Sequence, residues 1–273
     1  MMVKNLFYVL GFLWFILCTN RVEAQSLDPE VQNKITEYKV QAEKFKSENN
    51  TILQADYYNK VAYIYWENEI YNQAIEYFTQ SAELNKLHNN KNGLKNIYYN
   101  IGLIYSDMAD YTNALNWFNQ GLEIARELKQ KDGIYTGLLN KASVLKNQNQ
   151  NTQAIENLQQ ALSYAKELNN LKLIRACYGM LAENYEIIGD SENTMKYFEL
   201  FATVDKHIKS EQIKEIEAKS NEQVQKVQQE KVLTEKALTE KSDQLAETQE
   251  TLKEQEKIAH QQQLELEVKE LAI

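Results

Sequence analysis

The sequence has one proline and eight glycines in 273 residues. Strand-rich and turn-rich folds draw heavily on both, so the shortage points to an all-α chain. Cysteine is limited to Cys18 and Cys177, which excludes a disulfide scaffold. There are three histidines, no glycine-rich phosphate loop, no paired-cysteine metal spacing and no strand-turn-helix nucleophile elbow. No catalytic residue, cofactor or metal ligand is therefore expected, and the chain reads as a non-enzyme. A net charge of −9 offers no basic field to nucleic acid and disfavours an anionic membrane surface.

The N-terminal apolar run, Leu6 to Cys18, is 13 residues long, short of the roughly 20 that a membrane-spanning helix needs. With Lys4 before it and Val22-Glu23-Ala24 after it, the run has the form of an export signal cleaved after Ala24. Residues 1–24 are thus expected to be a signal peptide, and the protein to be exported to the periplasm or the extracytoplasmic face of the membrane. Leu17 before Cys18 departs from the small residue that a bacterial lipoprotein signal carries there. A membrane link is expected only if the signal stays uncleaved or the chain continues beyond Ile273. Cys177, beside Tyr178 and Leu181, fits a buried apolar thiol.

What the sequence has in quantity is repetition. Val61-Ala62-Tyr63-Ile64-Tyr65 with Ala74 and Phe78 recurs 40 residues on as Ile101-Gly102-Leu103-Ile104-Tyr105 with Ala114 and Phe118. The same phase holds Ala142 with Ala154 and Leu158, then Ala182 with Thr194 and Phe198. A fixed period of this kind means a solenoid, in which each unit buries its apolar face by stacking on its neighbours. Counting units from 55, 95, 135 and 175, positions 4, 8 and 11 share one helical face (helix A), and positions 20, 21, 24 and 28 another (helix B). Breaks fall at Asn68-Glu69, Ala109-Asp110, Asn147 to Asn151 and Gly189-Asp190. Small residues at 8 and 20 let the helices approach while the large residue at 24 fills the gap.

This pattern resembles the tetratricopeptide repeat, with a small residue at 8, an aromatic at 11, Ala at 20 and an aromatic at 24. The resemblance implies a right-handed α-solenoid of four repeats, 55–94, 95–134, 135–174 and 175–204. The period exceeds the family's usual length, with the surplus placed at the B-to-A junctions Asn85 to Lys95 and Ala125 to Gly133. Thr194, Phe201 and Lys141 depart from the pattern, so the third and fourth units are expected to pack less tightly. Residues 25–54 form an N-terminal capping helix, with Asp28 as N-cap, Pro29 at the first turn, and Ile35, Tyr38, Ala42 and Phe45 on one face.

Residues 205–273, rich in Glu, Lys, Gln and Ala, read as one long charged helix. Leu238, Leu245, Leu252, Ala259, Leu266 and Ile273 repeat every seven residues, while Ile213, Ile216, Val224 and Val227 follow an eleven-residue step. One apolar line where a stable coil has two predicts a weak homodimer. Ile258-Ala259-His260 resembles the start of a histidine-kinase phosphoacceptor box, but Gln261-Gln262-Gln263 replaces its continuation.

In the resembled family the A-helix positions 2, 5, 9 and 12 line a concave groove for peptides or partner helices. Here they give Asn59, Tyr63, Trp66, Asn96, Tyr99, Leu103, Ser106, Leu139 and Ser143. The aromatic residues among them either anchor a ligand or pack between adjacent A helices. Signal, solenoid and long helix together resemble the sensory front half of bacterial sensor histidine kinases, which implies a non-catalytic signal-input module. The alternative is a free-standing periplasmic scaffold. N-terminal sequencing of the protein recovered from the cell envelope is expected to begin at Gln25; an intact Met1 in the membrane fraction would show that the apolar run is retained as an anchor.

Overall fold

The structure, a computed structural model, describes residues 27–271, with side chains described to residue 263. The signal peptide, Cys18, the start at Gln25 and the heptad position Ile273 lie outside these residues, and the side chain of Leu266 lies outside the described side chains. Among the described residues there are nine helices and no strand: α1 Pro29–Ser47, α2 Thr51–Glu67, α3 Tyr71–Leu87, α4 Lys91–Asp107, α5 Tyr111–Glu127, α6 Lys131–Asn147, α7 Asn151–Glu167, α8 Leu171–Ile187 and α9 Ser191–Leu271. The chain divides into two units between Asp205 and Lys206. The first is an α-solenoid in which α2/α3, α4/α5, α6/α7 and α8 with the start of α9 are the four pairs; the second is helical throughout its described residues.

The origin of the long period differs from the sequence reading. The surplus is in the helices, not in the B-to-A junctions. The helices from α2 to α8 have 17 residues each, and every junction, A-to-B or B-to-A, has three residues. Lys91-Asn92-Gly93, which reads as a loop, is a capped first turn: the Gly93 amide donates to Asn90 Oδ1 at 3.1 Å. The pairs therefore start at Thr51, Lys91, Lys131 and Leu171, four residues ahead of the starts counted from the sequence.

Each junction centres on one residue in the left-handed region, with φ between 49° and 78°: Asn49, Glu69, Asn89, Ala109, Lys129, Asn149, Asn169 and Gly189. The following amide reaches back into the helix, as when Ile70 N–H donates to the Tyr65 carbonyl at 2.8 Å, so the last carbonyls find donors. Seven of the eight residues are not glycine, at roughly 1 kcal/mol each. Tight turns and scarce glycine are thus compatible.

Ala62, Ala74, Phe78, Ala114, Phe118, Ala142, Ala154 and Leu158 are all fully buried. At Gly102 a Cβ would lie 2.5 Å from the Phe118 ring, so the phenylalanine at position 24 fills the space left by the small residue at position 8. Lys141 does not open the third pair as expected: Ala142 and Leu158 beside it have no exposure. In the fourth pair position 24 is open on the side where no further A helix packs. Phe198 is 63% exposed, whereas Phe78 lies in one cluster with Ile97, Tyr98 and Ile101 of the following A helix.

A second compensation joins positions 5 and 27. In the second pair Tyr99 is large and Gly121 small, and a Cβ at Gly121 would meet the Tyr99 ring at 2.4 Å. In the fourth pair the sizes are exchanged: Gly179 faces Phe201, at 3.3 Å from a Cβ there. Phe201 is accommodated for that reason, although its position is usually small.

Helix α1 is in phase with the B helices, ending 40 residues before α3 with the same left-handed residue two positions later. Asp28 Oδ1 accepts from the Glu30 amide at 2.8 Å, and Ile35 and Ala42 are fully buried. Lys34, Glu37 and Gln41 stand where B helices carry Ala74, Tyr77 and Ser81. The face that an A helix would cover is thus polar, as a capping helix requires. Lys39 Nζ binds Tyr65 Oη at 3.0 Å and lies 4.9 Å from the centre of the Tyr77 ring.

Gly121→Ala is expected to cost about 1–3 kcal/mol by overpacking against Tyr99, and Tyr99→Leu in the same chain to recover part of that loss. Chemical denaturation of the four members of this cycle measures the coupling; additive effects would mean that the two positions do not share a space.

Candidate ligand-binding surface

The first helices of the pairs, α2, α4, α6 and α8, carry the residues expected to line a groove. The structure sorts them into three groups. Tyr63 and Trp66 on α2 form a partly open aromatic surface, Tyr63 being 42% exposed. Their rings stack with centroids 6.2 Å apart and 18° between planes, and the Tyr63 ring meets Phe78 edge-on at 5.1 Å. Asn96 and Ser143 are also exposed, while Leu103 and Ser106 are half-buried.

Position 5 is different. Tyr99 is buried, its hydroxyl donating to the Gly133 carbonyl at 2.9 Å, and a Cβ at Gly137 would lie 2.5 Å from that oxygen. Gly121 on α5 and Gly137 on α6 leave the space that its ring and hydroxyl occupy, so Tyr99 is a core residue and not a groove residue. Burial pushes its hydroxyl well above the usual tyrosine range. Leu139 packs against the core cluster that contains Leu138 and Ala142. Asn59 is half-buried and its Oδ1 has no hydrogen-bond partner.

Two residues that the groove positions did not include complete the aromatic surface. Asn100 Nδ2 donates to Tyr63 Oη at 2.6 Å, and Trp66 Nε1 donates to Asp107 Oδ2 at 2.8 Å. Both come from α4, one residue beyond positions 5 and 12. The two readings of Tyr63 and Trp66 are therefore compatible: they pack across to the next A helix and still present open ring surface. Elsewhere, a cleft of about 140 Å³ at the N-terminal end of α2 is lined by Ile52, Asp56, Leu84 and Asn85, with Thr51 Oγ1 bonded to His88 Nε2 above it.

No group of three or more metal-ligating side chains occurs among the described residues. Cys177 is fully buried. Burial pushes its thiol up from 9.0 to about 11, partly opposed by a hydrogen bond with Tyr135, which leaves it without the thiolate that a nucleophile needs.

Sequence comparison matches the tetratricopeptide repeat over residues 53–127 and 135–168, the segments that hold α2 to α5 and most of α6 and α7. Residues 53–127 and 135–168 carry tetratricopeptide repeats. Such repeats form a protein-interaction module. No curated protein matches the sequence. Among solved structures, the apo form of RapI is similar with a TM-score of 0.60 and 16% identity, over 64% of this chain and 49% of RapI. Aspartyl phosphate phosphatase F from Bacillus subtilis gives 0.59 and 18%, over 66% of this chain and 48% of that one. A signal transduction ATPase with a tetratricopeptide repeat sensor, from Pyrococcus horikoshii, gives 0.54 and 21%, over 59% of this chain and 25% of that one. This chain thus spans about half the length of RapI or of the phosphatase. At these identities the likeness concerns the tetratricopeptide fold. One of these proteins is a phosphatase, so the fold alone does not divide enzymes from binding modules.

The raised thiol of Cys177 predicts an alkaline loss of stability. Its neutral form is favoured in the folded state, so the contribution is complete below pH 9 and is lost as the pH rises through about 11. Tyr99 and Tyr135, both raised by burial, act in the same direction. The thermal midpoint is expected to be flat from about pH 7 to 9 and then to fall, with Cys177 inert to Ellman's reagent at pH 8 until the chain unfolds. Rapid reaction in the native state would contradict the burial.

Proposed function

We propose that the repeats form a non-catalytic module that binds an extended peptide or a partner helix across α2 and α4, and that the chain is the extracytoplasmic signal-input region of a bacterial receptor of the two-component type. The observation that carries the binding step is the stacked Tyr63–Trp66 pair, held from α4 by Asn100 and Asp107 while Tyr63 stays 42% exposed. Rings fixed before binding lose little conformational freedom on contact, which is what a binding anchor requires. Exposed Asn96 and Ser143 add neutral donors and acceptors suited to peptide backbone. Sensing is supported by the Pyrococcus horikoshii protein, in which repeats of this fold are a sensor. Export rests on the N-terminal signal pattern, and the rival to the receptor is a free-standing periplasmic scaffold.

A random dodecapeptide display library panned against the protein is expected to enrich a consensus whose affinity falls about tenfold or more in Tyr63→Ala and measurably in Asn96→Ala, an exposed site that does not disturb folding. Equal binding by both variants would move the ligand off this surface. Reading the gene beyond Ile273 separates the two roles: an in-frame hydrophobic span followed by an output domain supports the receptor, and a stop codon the scaffold.

A further inference from the structure

Every residue from 209 to 263 of α9 is exposed. Within this stretch Ile213, Ile216, Val224, Val227, Leu238, Leu245 and Leu252 are each between 56% and 70% exposed. At about 100° per residue, an eleven-residue step advances around the helix by about 20° and a seven-residue step retreats by about 20°. Ile213 to Val224, Ile216 to Val227 and Val227 to Leu238 are eleven-residue steps; Leu238 to Leu245 and Leu245 to Leu252 are seven-residue steps. The two drifts cancel, so all seven side chains fall within one arc of about 80°. Val232, Leu233 and Ile258 lie off this line. The ion pairs Lys219–Glu215 at 2.6 Å and Lys226–Glu222 at 2.7 Å lie outside this arc.

The change of step at Leu238 selects the occupant. A helix packed along the whole stripe has to change from an eleven- to a seven-residue repeat at the same height. A second copy of this chain does so only when it runs parallel and in register; an antiparallel copy sets eleven-residue steps against seven-residue ones. We propose that residues 206–263 pair with the same residues of a second copy, parallel and in register, along the line from Ile213 to Leu252. Lys231 lies on the same line, bound to Glu235 at 3.8 Å within its own helix. A lone charged residue in such a seam weakens association and sets register. The pairing goes beyond the proposed ligand-binding role and does not depend on it.

The test uses the full chain expressed with its own leader, as Ile216→Cys, Leu245→Cys and, on the opposite face, Glu247→Cys. The native Cys177 is buried, and the chain without an added cysteine, oxidised in parallel, serves as the background for it and for any retained Cys18. Copper-phenanthroline oxidation at micromolar protein concentration is expected to give disulfide-linked dimers of Ile216→Cys and of Leu245→Cys, but not of Glu247→Cys. An antiparallel pair can bring at most one position next to its own copy. Crosslinking at only one of the two stripe positions, at neither, or equally at Glu247→Cys overturns the proposal. In sedimentation the double change Leu245→Lys, Leu252→Lys is expected to raise the dissociation constant at least tenfold. A wild-type chain that stays monomeric, or a double variant that associates as tightly as wild type, overturns it as well.

Discussion

Close contact between the two helices of each pair is the constraint on which the solenoid depends. It requires a small residue on the first helix and another on the second, as with Gly102 and Ala114, both buried. The large side chain at position 24 then closes the gap: the Phe118 ring lies where a Cβ on Gly102 would have to go. Three repetitions of this contact put Phe78, Phe118 and Leu158 at zero exposure. Where the next A helix is missing from the pattern, at Phe198, the same position opens. Stability is therefore a property of neighbouring pairs, as expected for a stack of repeats.

Volume compensation between positions 5 and 27 links this packing to the open aromatic surface proposed to bind a ligand. Because Gly121 and Gly137 admit the Tyr99 ring, the aromatic surface that remains open belongs to Tyr63 and Trp66. Those rings are in turn fixed by Asn100 and Asp107 on the following helix. One packing choice in the second pair thus decides that Tyr99 is core, while Tyr63 keeps open ring surface. It also ties the geometry of the open surface to the spacing between α2 and α4.

Much of the architecture was legible in the residues. The 40-residue phase, the small positions, the start of α1 at Asp28-Pro29 and the helical tail follow from periodicity and local chemistry. Family-model matches over 53–127 and 135–168 agree with that phase. The length of the junctions was not legible, because Asn, Lys and Gly near a helix start have the composition of a loop while Asn90 caps the helix they belong to. The site was legible only in part. Tyr63, Trp66, Asn96 and Ser143 remain accessible to some degree, but Tyr99 does not, and Asn100 and Asp107 escaped the groove positions.

By itself the sequence determined an all-α repeat with a fixed phase, since helical periodicity and the placement of small residues are properties of single segments. Tertiary structure decided which aromatic side chains are core and which are surface. Tyr63 and Tyr99 both occupy positions assigned to the groove, yet the burial of Tyr99 depends on Gly121 and Gly137, on two other helices. The exposure of Tyr63 depends on how α4 lies beside α2, where Asn100 reaches its hydroxyl. No pattern within one helix carries that information, because it resides in the volume left by residues distant in the chain.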